Sequence, residues 1–321
     1  MHRGDEARRM EKLGDVLARL GGKISKSAGK PGLRAPEAGR GGAPRLLPDR
    51  HPVKDFFIAD ILDWALKDDR HSMEHPMFSL SKKPDRRVRR YERNGVHVTI
   101  KPGADGMATI WDKDVLIYAI SQLVEALNRG EPISRTVQLK AYDLLVATNR
   151  HTGGKNYDRL AEAFRRLKGT VIETDVTTNG VRQRRGFGLI DSWEIVEKIP
   201  SSGRMVAIRM TLSEWLYNAI MAKEVLTLSR DYFRLDGGLE RRLYELARKH
   251  CGQQTRWTVG IELLHKKCGS TDLLKRFRAA VKRVALADSL PDYRLKYEPE
   301  GDQAVFYAKD AKRLVESLAT A

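Results

Sequence analysis

The sequence predicts an α+β protein, and three observations carry that expectation. Segments with a helical 3.6-residue period alternate with short runs of strand pattern, and neither type dominates. The order helix, turn, helix, two strands occurs twice, over 136–193 and over 238–308. The first 50 residues hold no sustained pattern of either kind. With 321 residues, 41% of them hydrophobic, the chain has apolar material for about two compact units. The repeated order is the layout of a winged helix. The expected architecture is therefore two tandem winged-helix domains behind a flexible tail. The expected limits are 1–50 for the tail, 51–230 for a first domain with additional elements, and 231–321 for a second.

The elements follow in order. Met10, Leu13, Val16, Leu17 and Leu20 recur at helical spacing, so a short helix over 5–20 is predicted. Residues 21–48 are rich in Gly, Pro, Ala, Ser and bases and read as a linker. Phe56, Phe57, Ile58, Ile61, Leu62 and Trp64 cluster in a predicted short helix over 52–67. Residues 96–100 alternate as a strand after the Asn94-Gly95 turn signal, and 108–111 form a second strand. Asp112 is placed to cap a long helix over 113–128, which Gly130 and Pro132 end. A helix over 136–148 turns Leu139, Tyr142, Leu145 and Val146 inward. After a turn over 149–155, a helix over 156–168 buries Leu160, Phe164 and Leu167. Strands over 170–177 and 181–193 meet at Asn179-Gly180. A strand over 205–210 and a helix over 213–221 extend this unit. The second unit has helices over 238–250 and 260–267, a break at Gly269, and a helix over 272–286 opened by Asp272. Strands over 293–298 and 304–308 close it.

Composition narrows the function. Lys and Arg number 59 against 42 Asp and Glu, a formal charge of +17 with a pI near 9.9. Such an excess points to a polyanionic partner, of which nucleic acid is the commonest. Residues 1–50 hold +6 of it and the remainder +11. The share in the tail speaks only for loose attraction. Cys251 and Cys268 are too few for a disulfide framework or a four-cysteine zinc site, which fits a reducing cytoplasm. They are expected as half-buried free thiols. His71 and His75 stand four apart, but Pro76 follows and they read as loop residues. No run of about 18 apolar residues exists to cross a membrane, and the first 20 residues lack the apolar centre of a signal peptide. The expected location is the cytoplasm, with no membrane partner.

The placed charges are more informative than the total. In the helix over 272–286, Lys275, Arg276, Arg278, Lys282 and Arg283 share an arc of roughly 160°. Leu273, Leu274, Phe277, Ala280, Val281, Val284 and Ala285 occupy the other side. Such a helix fits the major groove of duplex DNA, where Arg pairs in two-point fashion with guanine O6 and N7. A solvated basic face is the plainer alternative. In the helix over 156–168, Lys155 and Asn156 lie at the N-terminal entrance and Arg159 and Arg166 fall on one side, so base contact is expected there too. Arg182, Arg184 and Arg185 follow the tight turn of the hairpin, as a wing against phosphates or a minor groove. An edge strand kept soluble by charge is the alternative. The run KKPDRRVRRYER at 82–93 adds seven bases against two acids.

Catalysis finds no support. There is no GxxxxGK[ST] phosphate loop, and Gly153-Gly154-Lys155 lacks both the upstream glycine and the following hydroxyl. No His-apolar-His pair is available to hold the metal of a strand-nicking enzyme. No compact carboxylate cluster suggests two-metal chemistry. No catalytic residue, metal or cofactor is expected.

The wording of three stretches is also familiar: RHPVKDFFIADILDWALKDDRHSMEHPMFSLSKKPD at 50–85, IWDKDVLIYAISQLVEALN at 110–128, and LSRDYFRLDGGLERRLYELARKHCG at 228–252. The last is the most specific, with Tyr232, Phe233, Leu235, Leu239, Arg241, Arg242, Leu243, Tyr244, Arg248 and Lys249 in the expected places. Over roughly 50–310 the chain resembles the replication initiator protein A family, plasmid initiators of alphaproteobacteria that look like other iteron-binding proteins with tandem winged helices. The resemblance implies recognition of repeated double-stranded DNA sites at a plasmid origin. It further implies help in opening an AT-rich segment and recruitment of host replication proteins such as the helicase. It supplies no catalytic residues and leaves open whether a homodimer or a monomer acts. A winged-helix transcriptional repressor, autoregulatory or not, is the alternative.

Overall fold

The structure, a computed structural model, describes residues 46–52, 59–61, 76–93, 96–178, 181–197, 205–221, 225–251 and 256–309. The helix expected over 5–20, the linker, and the turns at Asn94-Gly95 and Asn179-Gly180 lie outside the described residues. The chain divides into units 1–42 and 43–321, and the described residues all belong to the second.

The first strands are β1 (Ala59–Ile61), β2 (Arg89–Arg93) and β3 (Val96–Lys101). Then come α1 (Lys113–Asn128), β4 (Thr136–Lys140), α2 (Ala141–Ala147) and α3 (Gly154–Gly169). Strands β5 (Val171–Thr178), β6 (Val181–Gly188), β7 (Ile190–Glu197) and β8 (Met205–Leu212) precede α4 (Glu214–Met221) and β9 (Val225–Thr227). A 3-10 turn, Arg230–Arg234, leads into α5 (Gly238–His250), β10 (Arg256–Gly260), α6 (Ile261–Cys268) and α7 (Leu274–Ala287), and the hairpin β11 (Tyr293–Glu298) and β12 (Gln303–Ala308) closes the series. The sheets run β2-β3-β5-β6, β4-β8-β7, β10-β12-β11 and β1-β9. All pairings between these strands are antiparallel.

The α+β class and the winged-helix order are those the sequence predicts. The order helix, strand, helix, helix, hairpin appears as α1-β4-α2-α3-β5-β6 and again as α5-β10-α6-α7-β11-β12. Several details differ from expectation. Residues 136–140 form a strand, not a helical turn, because Val137 and Leu139 alternate inward and the backbone pairs with β8. Tyr142 consequently points outward, 55% exposed. Ala59–Ile61, expected as helix, pair with Val225–Thr227. Residues 108–111 form no strand; Thr109 makes one isolated bridge to Ser79. The long strand expected over 181–193 breaks at Leu189, so that β6 pairs with β5 while β7 pairs with β8. Asp272 does not cap α7, whose N-cap is Leu273. Leu273 is therefore outside the helical turn and 70% exposed rather than in the core. Both cysteines are fully buried, and burial pushes the Cys251 thiol up to about 12.

Two cores result. One gathers Val98, Ile100, Ile110, Val115, Leu144, Leu160, Phe164, Ile172, Ile208 and Met210. The other gathers Tyr232, Phe233, Leu243, Tyr244, Leu264, Phe277, Val281, Leu295 and Phe306, together with Ile117 from α1. Helix α1 thus serves both cores, and eleven of its 16 residues are buried. Its charged start is tied to α5. Asp114 accepts from Arg241 at 2.5 Å and Lys113 reaches Glu245 at 3.0 Å, with every partner under a tenth exposed. Breaking such a pair from one side leaves an uncompensated buried charge, at a cost of about 3–5 kcal/mol. Gly238 allows the close approach, since a Cβ there would lie 2.3 Å from the Leu80 carbonyl oxygen. Residues 46–52 strap the same seam. Leu47 exchanges hydrogen bonds with Arg234, and Arg50 donates to Asn149 and His151.

Candidate nucleic-acid interface

Helix α7 packs through Phe277, Val281 and Val284, all buried, against the second core. The residues between these anchors face away from it. Lys275, Arg276, Lys282 and Arg283 are exposed. Arg278 is the exception among the five bases. Its Nε and Nη2 donate to the two carboxylate oxygens of Asp302, each at 2.7 Å. Asp302 sits with φ +46° in the turn between β11 and β12, so this pair ties the helix to its own wing. The guanidinium holds the Asp302 carboxyl below the usual carboxylate range. Tyr297 donates to the same carboxylate at 2.9 Å, and Lys282 lies 4.3 Å over the Tyr297 ring. Exposed Arg294 and Lys296 alternate along β11 and extend the basic surface onto the hairpin.

Helix α3 begins at Gly154 and buries Leu160, Ala163, Phe164 and Leu167. Lys155 and Arg159 are exposed at its N-terminal end, and Asn156 is half-buried. Arg159 reaches Asn156 Oδ1 at 3.5 Å. The bases further along serve the fold. Arg166 Nε and Nη2 donate to Asp112 at 2.7 and 2.8 Å, and the two side chains are 17% and 4% exposed. Asp112 also accepts from the Thr109 amide at 2.8 Å, which is why its carboxylate does not cap α1. Arg165 lies 3.4 Å from Asp105, and Lys168 donates to the Asp191 carbonyl. The structure thus brings Lys155, Asn156 and Arg159 to one exposed end and takes Arg166 into an ion pair.

Arg182, Arg184 and Arg185 lie on β6, opposite Thr177, Asp175 and Thr174 of β5. The basic run at 82–93 becomes a loop and β2. Three of its seven bases meet carboxylates: Asp85 receives Arg87 and Arg89, and Lys82 meets Asp236 at 2.8 Å. Asp302, Tyr297 and Lys296 escape sequence reasoning. A carboxylate in a wing turn carries no signal until the helix it faces is known. Among the described residues, no group of three or more His, Cys, Asp or Glu is placed to hold a metal ion. No described helix is long and apolar enough to cross a membrane.

Two winged helices, each presenting an exposed basic helix end or face, define a winged-helix DNA-binding protein. Crystal structures of RctB domains 2 and 3 share this fold. One superposes with a TM-score of 0.55 at 12% identity, covering 74% of this chain and 95% of that one. Another gives 0.52 at 12% identity over 75% of this chain and 97% of that one. At such identity the likeness speaks for the fold alone. The Replication initiator protein A family matches residues 67–295, and the chain belongs to that family. A "Putative replication protein" of Wigglesworthia glossinidia brevipalpis is 42% identical over 264 residues, 81% of this chain and 96% of that protein. The chain is accordingly a DNA-binding replication initiator of that family.

Proposed function

We propose that the protein initiates plasmid replication by binding repeated duplex sites at the origin, with α7 and the N-terminal end of α3 each entering a major groove. The observation that carries this reading is the exposed face of α7, where Lys275, Arg276, Lys282 and Arg283 project from a helix anchored on the opposite side. Phosphate contacts supply most of the affinity, and base-edge contacts supply the choice of site. In this reading residues 51–230 and 231–321 act as two reading units, and the α1–α5 ion pairs hold them at one spacing. Two helices reading successive grooves engage sites about one turn, roughly 34 Å, apart. Opening of an AT-rich segment and engagement of the host helicase follow from the bound state.

The test is a plasmid carrying this gene and the candidate origin as its only replication functions. Replication that requires both, with binding that weakens steeply as salt rises, is the expected result. Tight binding to one promoter palindrome, with no replication, would make the protein a repressor instead.

A further inference from the structure

We infer that Asp302 is a positioning residue of the DNA interface: it aims the Arg278 guanidinium at a guanine from the wing side, so that α7 reads one base pair through an Asp-buttressed arginine. This rests on the assignment of α7 to a major groove. A guanidinium has two hydrogen-bonding edges: a side-on edge formed by Nε and one Nη2 proton, and an end-on edge formed by Nη1 and the other Nη2 proton. The Asp302 carboxylate takes the side-on edge through Nε and Nη2, both at 2.7 Å. With the side-on edge occupied, the end-on edge is the one left to pair in two-point fashion with guanine O6 and N7.

Three further contacts keep the carboxylate in place. Tyr297 donates to Oδ1 at 2.9 Å. The Ile261 amide donates to the Asp302 carbonyl at 2.9 Å, and the Asp302 amide to the Pro299 carbonyl at 3.3 Å. The pair stays open to a partner, with Arg278 and Asp302 side chains 30% and 41% exposed. The corresponding pair on α3 does not. Arg166 and Asp112 are 17% and 4% exposed, and Glu162 stands 3.8 Å from Arg166 Nη1, on the edge a base would need. Two arginines with the same side-on pairing therefore have different uses, one for reading and one for structure.

The test compares base preferences, from selection out of randomised duplexes and from titrations on the selected site, for wild type, Asp302→Asn, Arg278→Ala, Arg278→Lys and the Asp302→Asn/Arg278→Ala double variant. Asn tolerates the left-handed backbone at position 302 and retains an acceptor for Tyr297. Wild type is expected to prefer guanine at one position, and Arg278→Ala to lose that preference by about 10-fold or more. Arg278→Lys keeps the charge but lacks the fork, so it keeps affinity for random duplex and loses the preference. Asp302→Asn reduces the preference severalfold without lowering affinity for random duplex. The double variant is no worse than Arg278→Ala alone, because the carboxylate acts through that arginine. Unchanged preference in Asp302→Asn, equal losses on all sequences, or additive effects in the double variant would each overturn the buttress. A wild-type protein with no preferred duplex would overturn the assignment of α7 itself.

Discussion

Helices α3 and α7 occupy the same place in their two winged-helix sequences of elements, and both are rich in arginine. The first spends most of that charge on the fold, and the second leaves most of it to solvent. On α3, Arg165 meets Asp105, Arg166 meets Asp112, and Lys168 reaches the Asp191 carbonyl. On α7 only Arg278 has such a partner among the described residues, and that partner belongs to the wing. A basic helix face is thus evidence for a polyanion only after its internal partners have been subtracted. What remains on α3 is its N-terminal end, Lys155 to Arg159; what remains on α7 is a whole face.

The contrast is broken or kept most sharply by paired truncations. Arg166→Ala leaves Asp112, 4% exposed, without its guanidinium. A loss of about 3 kcal/mol or more in urea unfolding is expected. Arg278→Ala removes an open pair and is expected to cost no more than about 1 kcal/mol, while removing base discrimination. Equal stability losses would place the two arginines in one class and erase the distinction.

The next effect is electrostatic. Each phosphate contact removed lowers the slope of log affinity against log salt by about 0.9 on duplex DNA. The double variant Lys282→Ala/Arg283→Ala is expected to lower it by roughly 2 and to weaken specific and random duplexes alike. Arg165→Ala/Lys168→Ala on α3 is expected to change the slope by less than about 1, since both bases already have partners. Arg276→Ala on α7 is expected to weaken the selected site more than Arg185→Ala on β6, measured in the same titrations. The reverse order would make the hairpin the principal reader.

The same subtraction explains what could be read from the sequence. Helices α1 and α5 have the limits that the sequence predicts, because each has a sustained apolar period and clear stops. Strands β4 and β10 are not legible in the sequence, and they stand at the same place in both halves of the pattern. Each is five residues long and runs directly into a helix at Ala141 or Ile261, with no proline to mark the change. Strand β2 was hidden by its charge, since Arg89–Arg93 alternates no apolar side chains in the manner of a half-buried strand. The α7 face followed from periodicity alone. The two arginine pairs did not, because their carboxylates lie 54 and 24 residues away in sequence. Local pattern finds which face of a helix is basic. Only the tertiary fold shows which of those bases are already satisfied.

The comparison extends to a third arginine–aspartate group, on the seam rather than on a helix face. Asp85 accepts from Arg87 at 2.9 Å and from Arg89 at 2.9 Å, and Arg89 Nη1 also donates to the Gly269 carbonyl at 3.1 Å. Gly269 is the left-handed C-cap of α6, with φ +62°, so β2 is tied to the end of a helix in the second core. The hydrogen bond from Arg87, followed by the contacts with Arg89, holds the Asp85 carboxyl well below its ordinary value of 3.8. A depressed carboxyl stabilises the fold above its unfolded value, and that contribution drains away as the pH falls toward the folded one. Asp85→Asn should therefore be less stable than wild type at pH 7, by about 1–3 kcal/mol for a lost charge-assisted hydrogen-bond group. The gap should be constant from pH 7 down to about 5 and should narrow below about 4 as the unfolded carboxyl takes up its proton. Urea unfolding of both proteins across that range measures it. A gap independent of pH would mean that Asp85 acts through shape rather than charge.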